Sequence, residues 1–139
     1  MQATPSAAPY RVFIVEDSPL VRERLEALVG SITGAASAGG AAGAAEAVEA
    51  ILAARPDAVV LDLALAEGSG YDVLRAVRAR APGIAVFVLS NYASAPYRRL
   101  VERLGAEAFF DKTTEFDRVR ETLAARAAAR IGLPGGAHA

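Results

Sequence analysis

The sequence predicts one α/β domain, a doubly wound (βα)5 fold with five parallel strands and helices on both faces of the sheet. Three observations carry this expectation. Short β-branched or aliphatic runs alternate five times with longer stretches of helical period, the pattern of βα units around a parallel sheet. Glycine or proline marks segment ends at Gly30, Pro56, Pro82-Gly83 and Gly105. The 139 residues amount to about one domain, too few for a core of this kind together with a conventional output domain.

Arg11-Val12-Phe13-Ile14-Val15 reads as a buried strand, and Ser18-Pro19 supplies an N-cap followed by proline at the first helical position. The helix that starts there spaces Val21, Leu25, Leu28 and Val29 as one apolar stripe facing a sheet, until Gly30 stops it. A weak second strand near Ala35–Ala38 and an alanine-rich helix after Gly43, ending before Pro56, lead to the third strand, Ala58–Leu61. Asp62 sits at its C-terminal end. Past the loop Ala64–Gly70, a helix carries Val73, Leu74 and Val77 and closes at Pro82-Gly83, ahead of the strand Ala85–Leu89 that Ser90 ends. A fourth helix with Leu100, Val101 and Leu104 gives way to Gly105; the strand Ala108–Phe110 and a last helix with Phe116, Val119 and Leu123 follow. Residues 1–9 read as a loose leader and 132–139 as a disordered tail, leaving 10–131 as the folded domain.

Composition narrows the function. With 53% apolar and 22% charged residues the chain has the balance of a soluble globular protein, with an alanine-lined core. Its net charge of −1, with arginines spread among acids, creates no field that favours nucleic acid or an acidic membrane surface. The absence of cysteine excludes disulfides, thiolate catalysis and Cys-ligated zinc. The first nine residues lack the basic and apolar regions of a signal peptide, and no run approaches the roughly 20 apolar residues that span a bilayer. A cytoplasmic location is expected. His138, alone in the tail, receives no role.

In a doubly wound sheet, ligands bind beyond the C-terminal ends of the strands. Those ends carry Glu16-Asp17, Asp62, Ser90 and Asp111-Lys112, so the carboxylates of Glu16, Asp17 and Asp62 converge on one edge. Like charges within about 4–6 Å disfavour joint ionisation, and such a cluster needs a cation. Mg²⁺, which commonly takes one or two carboxylates, several waters and a phosphate oxygen, fits, and Lys112 adds a second, fixed positive charge. Singly, each of these residues is more often a turn former, a surface lysine or a loop hydroxyl. All of them on one edge point to a site.

The motifs Val15-Glu16-Asp17-Ser18, Val60-Leu61-Asp62-Leu63 with Gly70 eight residues after the aspartate, Val88-Leu89-Ser90 and Ala108-Phe109-Phe110-Asp111-Lys112 resemble those of bacterial response regulator receiver domains. The likeness covers Arg11 to about Ile131. It implies a flavodoxin-like sheet of strand order 2-1-3-4-5, with Asp62 as phospho-acceptor and Glu16, Asp17, Asp62 and the backbone carbonyl of Ala64 as ligands of Mg²⁺, directly or through water. Lys112 and Mg²⁺ then neutralise the incoming phosphoryl charge, Ser90 binds a phosphoryl oxygen after transfer, and Phe109 holds the place of a rotating aromatic switch. The resemblance further implies a sensor histidine kinase or histidine phosphotransfer protein as donor. It implies a downstream protein target on the face of the fourth helix, fifth strand and fifth helix, where Arg98, Arg99, Arg103, Arg118 and Arg120 lie. A stand-alone signalling switch rather than an enzyme is expected, monomeric or dimerising on phosphorylation, without nucleic-acid partners or membrane insertion.

The chain departs from the family pattern in its loops. Ala66 stands where proline is usual, leaving that loop freer, and Asn91 replaces a small residue after Ser90, narrowing access to the pocket. Ala64 and Tyr92 flank the path of a hydrolytic water, and neither is an acid or amide suited to orient it, so a long-lived aspartyl phosphate is expected. A haloacid-dehalogenase-type phosphatase needs an acid-base aspartate where Ala64 stands. A dinucleotide-binding domain needs a glycine fingerprint where Glu16-Asp17-Ser18-Pro19 stands. The main alternative is a receiver-like docking module that works independently of phosphorylation, against which stands the presence of every chemical residue.

Overall fold

The computed structural model describes residues 8–130. The expected tail with His138, and all of the expected leader but Ala8 and Pro9, lie outside the described residues. Five strands, β1 (Tyr10–Val15), β2 (Ala35–Ala41), β3 (Ala58–Leu61), β4 (Ala85–Ser90) and β5 (Ala108–Asp111), form a parallel sheet in the order β2-β1-β3-β4-β5. The helices α1 (Pro19–Gly30), α2 (Ala44–Ala54), α3 (Gly70–Arg80), α4 (Ala95–Arg103) and α5 (Phe116–Arg130) alternate with them. This is the doubly wound order that the sequence predicts.

β1, β3 and β4 are interior strands covered on both faces, which is why they are apolar at nearly every position instead of alternating with polar residues. Successive side chains feed opposite cores. Phe13, Val15, Val59, Leu61, Val86 and Val88 pack with Ile51 of α2, Val73, Leu74 and Val77 of α3, and Val101 of α4. Val12, Ile14, Val60, Phe87 and Leu89 pack on the other face with Leu25 and Val29 of α1 and Val119 and Leu123 of α5. Fully burying a side chain such as Leu61 contributes about 1.5–3 kcal/mol, and these two layers hold the strand ends in fixed relation.

Ser18 caps α1 as expected, its Oγ accepting from the Val21 N–H at 3.3 Å. Of the expected stripe, Leu25 and Val29 are buried and Val21 and Leu28 lie half-buried at its margin. The helix ends at Gly30 as expected, but without a left-handed glycine cap there. Gly30 is the last helical residue, and the left-handed position falls at Gly34, with φ 87°. β2 runs to Ala41, beyond the expected Ala38, because backbone pairing with β1 sustains a strand that has no β-branched residues to signal it. Gly39, at φ 118°, adjoins the register shift between Val12 and Phe13, and a Cβ there would come within 3.3 Å of the Phe13 ring. Gly105 does end α4: the Gly105 N–H bonds the Glu102 carbonyl and the Ala106 N–H the Val101 carbonyl, each at 3.0 Å.

The segment between β3 and α3 folds back on itself. Ala64 bridges Ser69, the Gly70 N–H donates to the Leu63 carbonyl at 3.0 Å, and the Ser69 side chain caps α3. Gly70 lies so close beneath the end of β3 that a Cβ would stand 2.2 Å from the Asp62 carbonyl oxygen, which is why the chain has glycine there. Among the described residues, no helix is long and apolar enough to cross a membrane.

Candidate phosphoryl site at the strand ends

The sheet register brings the acidic residues together. The Glu16 N–H donates to the Ala41 carbonyl and the Asp62 N–H to the Val15 carbonyl, each at 3.0 Å, so the chain leaves β1 and β3 side by side. Glu16 is 1% exposed, Asp62 6%, and Asp17 is half-buried. Carboxylate oxygens of the three lie within 4.8 Å of one another. The turn that aims Glu16 is tied twice more: its Oε2 accepts from the Ser18 N–H at 3.0 Å, and its carbonyl from Arg22 Nη1 at 3.1 Å.

Lys112 reaches this cluster from the end of β5. Its N–H donates to the Ser90 carbonyl at 2.9 Å, and its Nζ stands 3.1 Å from Asp62 Oδ2 and 2.9 Å from Glu16 Oε1. Burial pushes the Glu16 carboxyl above the usual carboxylate range; Lys112 and the Ser18 N–H oppose that, and the Asp62 charge adds to it. Burial pulls Lys112 down, but pairing with Glu16 and the charge of Asp62 outweigh it and hold the ammonium above the ordinary lysine value. Lys112 is therefore a permanent cation at neutral pH.

The residues fit a hard divalent cation. Glu16 Oε1 is buried and meets only the Lys112 ammonium, at 2.9 Å and without an aligned hydrogen bond, among the described residues, so it keeps acceptor capacity for a second cation. Three clustered carboxylates, two of them paired with one ammonium and all offering oxygen donors, suit Mg²⁺. Ala64 adjoins them, its N–H donating to Asp62 Oδ1 at 3.3 Å.

Ser90 is fully buried, and its Oγ accepts from the Tyr92 N–H at 3.0 Å. A hydroxyl that accepts in this way still has its own hydrogen to donate. Phe109 is buried against the core, with the Arg98 guanidinium 4.8 Å from its ring centre. Asp111, collected with Lys112 from the strand ends, stays out of the acidic cluster. Its Oδ1 accepts from the Thr113 N–H at 2.8 Å, and such backbone bonds hold its carboxyl below the usual range. Arg120 bonds Ser31 Oγ at 3.0 Å and the Ser31 carbonyl at 2.9 Å, so it belongs to the seam between α1 and α5 rather than to the face of α4, β5 and α5. Sequence reasoning placed Tyr92 beside the site but missed Tyr71 and Tyr97, which with Tyr92, Leu63 and Ala64 line a cavity of about 210 Å³ beside the acidic edge. Nothing in their spacing signals it, because they sit on three separate segments.

A doubly wound sheet with paired acids, an aspartate, a hydroxyl and a lysine at successive strand ends defines a phosphoryl-handling switch domain. The sequence profile of the response regulator receiver domain matches residues 12–124, and the chain belongs to that family. Phosphorylation-based switching in two-component signalling is the family's general function, with histidine kinases or phosphotransfer proteins and downstream effectors as partners. Its domains bind Mg²⁺ at the acidic pocket that Glu16, Asp17 and Asp62 form here. The chain is 37% identical to protein-glutamate methylesterase/protein-glutamine glutaminase 5 of Anaeromyxobacter dehalogenans, over 94% of this chain and 38% of that protein. It is 37% identical to the DNA-binding transcriptional activator DevR/DosR of Mycobacterium tuberculosis, over 60% of this chain and 39% of that one. The chain thus spans less than two-fifths of the length of these relatives. Among solved structures, a LuxR-family two-component response regulator from Aurantimonas superposes with a TM-score of 0.80 at 25% identity, covering 88% of each chain. The response regulator domain of Thermotoga maritima CheB gives 0.76 at 24% identity, covering 89% of this chain and 97% of that one, and bears on the fold alone.

Proposed function

We propose that Asp62 accepts a phosphoryl group from the phosphohistidine of a sensor kinase or phosphotransfer protein, and that this modification switches contacts with a downstream protein. The observation that carries the reading is Lys112 Nζ at 3.1 Å from Asp62 and 2.9 Å from Glu16, a fixed cation paired with the acceptor carboxylate inside a pocket whose acids still need a second cation. An Asp62 carboxylate oxygen attacks phosphorus, a P–O bond forms, and the donor's P–N bond breaks with its electron pair left on the imidazole nitrogen. Glu16, Asp17, Asp62 and the Ala64 carbonyl would hold Mg²⁺, directly or through water, and the bound ion would neutralise charge on the phosphoryl oxygens. Lys112 balances charge that develops at the acceptor, and the Ser90 hydroxyl donates to a phosphoryl oxygen once transfer is complete.

Engaging Ser90 shifts the loop behind it, and Phe109 on the neighbouring strand repacks; two packings a few kcal/mol apart are enough for the modification to change their populations. The face of α4, β5 and α5, where Arg99, Arg103 and Arg118 are exposed, meets the downstream protein. On this reading the chain is a cytoplasmic switch with no separate substrate to turn over, monomeric or dimerising on phosphorylation, and without nucleic-acid or membrane partners. Intact-mass spectrometry after incubation with acetyl phosphate tests it. A gain of one phosphoryl group that requires both Mg²⁺ and Asp62 is expected, with Asp62→Ala as the control. No gain, together with no response to beryllofluoride and Mg²⁺, overturns the reading in favour of a phosphorylation-independent docking module.

A further inference from the structure

Arg98 lies in α4 and is set among residues of three other segments. Its Nε donates to the Ala93 carbonyl at 3.0 Å, its Nη1 to the Phe109 carbonyl at 3.2 Å, and its Nη2 to Glu115 Oε1 at 2.9 Å, while the guanidinium covers the Phe109 ring at 4.8 Å. Glu115 Oε1 also accepts from the Asp111 N–H at 2.7 Å, and the Glu115 N–H donates to the Asp111 carbonyl at 2.8 Å. Arg98 therefore grips, on one side, the loop that follows Ser90. On the other it grips β5 and, through Glu115, the residue immediately before Lys112. A planar guanidinium with donors in a fixed fork suits such a three-way tie, and a lysine cannot reproduce it.

We propose that Arg98 is a positioning residue for phosphoryl capture: it joins the Ser90 loop to the Lys112 turn, so that hydroxyl and ammonium meet one phosphoryl group as a preorganised pair. The inference rests on the reading of Asp62 as acceptor, but it makes a separate demand. The cation ligands Glu16, Asp17, Asp62 and Ala64 lie on β1–α1 and β3–α3 segments that Arg98 does not touch. Loss of Arg98 loosens the Ser90 loop and the Lys112 turn, which hold phosphoryl oxygens, and reaches the cation ligands only indirectly, through the Lys112 pairs with Glu16 and Asp62. A general loss of packing affects both sets of groups alike.

The test is a two-stage titration of the 139-residue protein, first with Mg²⁺ alone and then with beryllofluoride at saturating Mg²⁺, followed by the amide resonances of Ser90–Ser94 and Lys112. In Arg98→Met, Mg²⁺ affinity stays within about twofold of wild type while beryllofluoride binds roughly tenfold more weakly, the scale expected when the competent arrangement becomes a minor population. Arg98→Lys retains the charge but not the fork, and recovers less than half of that loss on a logarithmic scale. Glu115→Gln keeps an oxygen for the Asp111 N–H and removes the ion pair, and shows a smaller loss in the same step. Beryllofluoride binding within twofold of wild type in Arg98→Met overturns the proposal, as does equal loss in both steps. If Arg98→Met does not fold, Arg98→Lys and Glu115→Gln decide by the same split. Wild type that binds Mg²⁺ but not beryllofluoride overturns the acceptor reading itself, and this proposal with it.

Discussion

Replacing Gly70 by alanine isolates how the loop after Asp62 is built. A Cβ at Gly70 meets the Asp62 carbonyl oxygen at 2.2 Å, the Leu63 Cα at 2.6 Å and the Asp62 carbonyl carbon at 3.0 Å, where ordinary contact begins at 3.4 Å. All three atoms are backbone, so no rotamer change relieves the overlap, and α3 or the end of β3 must move by more than an ångström. Overpacking a well-packed site typically costs about 1–3 kcal/mol, and a backbone clash of this depth belongs at the upper end. The expected result for Gly70→Ala is a loss of about 3 kcal/mol in urea unfolding, with m unchanged. Because the displaced segment carries Asp62 and Ala64, Mg²⁺ binding should weaken as well. Gly30→Ala is the internal control: nothing lies within 4 Å of its Cβ and it sits in a helix, so alanine there should stabilise by up to about 1 kcal/mol. If Gly70→Ala unfolds within 0.5 kcal/mol of wild type, the close approach of α3 to Asp62 is wrong.

Three further outcomes follow from other parts of the structure. Arg55 closes α2 at φ 52°, ψ 57°, so Arg55→Gly should raise stability by about 0.5–1 kcal/mol in the same unfolding assay, and a loss would refute the left-handed assignment. Glu115 is held below the usual carboxylate range by the Asp111 N–H first and by Arg98 second. A lowered folded-state value contributes stability that is complete above the unfolded-state value, about 4.3, and disappears as pH falls through the folded one. The stability gap between wild type and Glu115→Gln should therefore be wide at pH 7 and close on acidification below about pH 4; a gap independent of pH contradicts the ion pair. Finally, Ala64 and Tyr92 offer a hydrolytic water no acid or amide, so the phosphorylated protein should outlast removal of acetyl phosphate by many minutes, and a half-life of seconds on the mass spectrum would exclude that role for them.

What the sequence discloses and what it hides follow from where the information sits. β1, β3 and β4 are legible because each is covered on both faces and so is apolar at nearly every position. β2 is only half legible, since its Ala-Ser-Ala-Gly-Gly run owes its strand geometry to pairing with β1 and not to its own side chains. The acidic site is legible for a topological reason: in a parallel sheet every strand delivers its last residue to the same edge, so residues distant in the chain, such as Glu16, Asp62 and Lys112, converge without any local motif joining them.

Asp111 shows the limit of that rule. It ends β5 as the acids end β1 and β3, yet its carboxylate turns back to the Thr113 N–H, and a choice between two local bonds has no signature in strand order. Arg98 shows the same limit from the other side. Within a sequence it is one of several arginines on an exposed helix, for which a solvated ion pair worth little is the usual outcome. Its significance comes from the crossing of α4 over β5, which sets Ala93, Phe109 and Glu115 around one guanidinium although they come from separate segments. The chemistry of this domain lies at strand ends, where topology alone gathers it. Ser90 and Lys112 are tied once by the β4–β5 backbone, through the Lys112 N–H and the Ser90 carbonyl, and a second time by side-chain packing between neighbouring βα units, at Arg98.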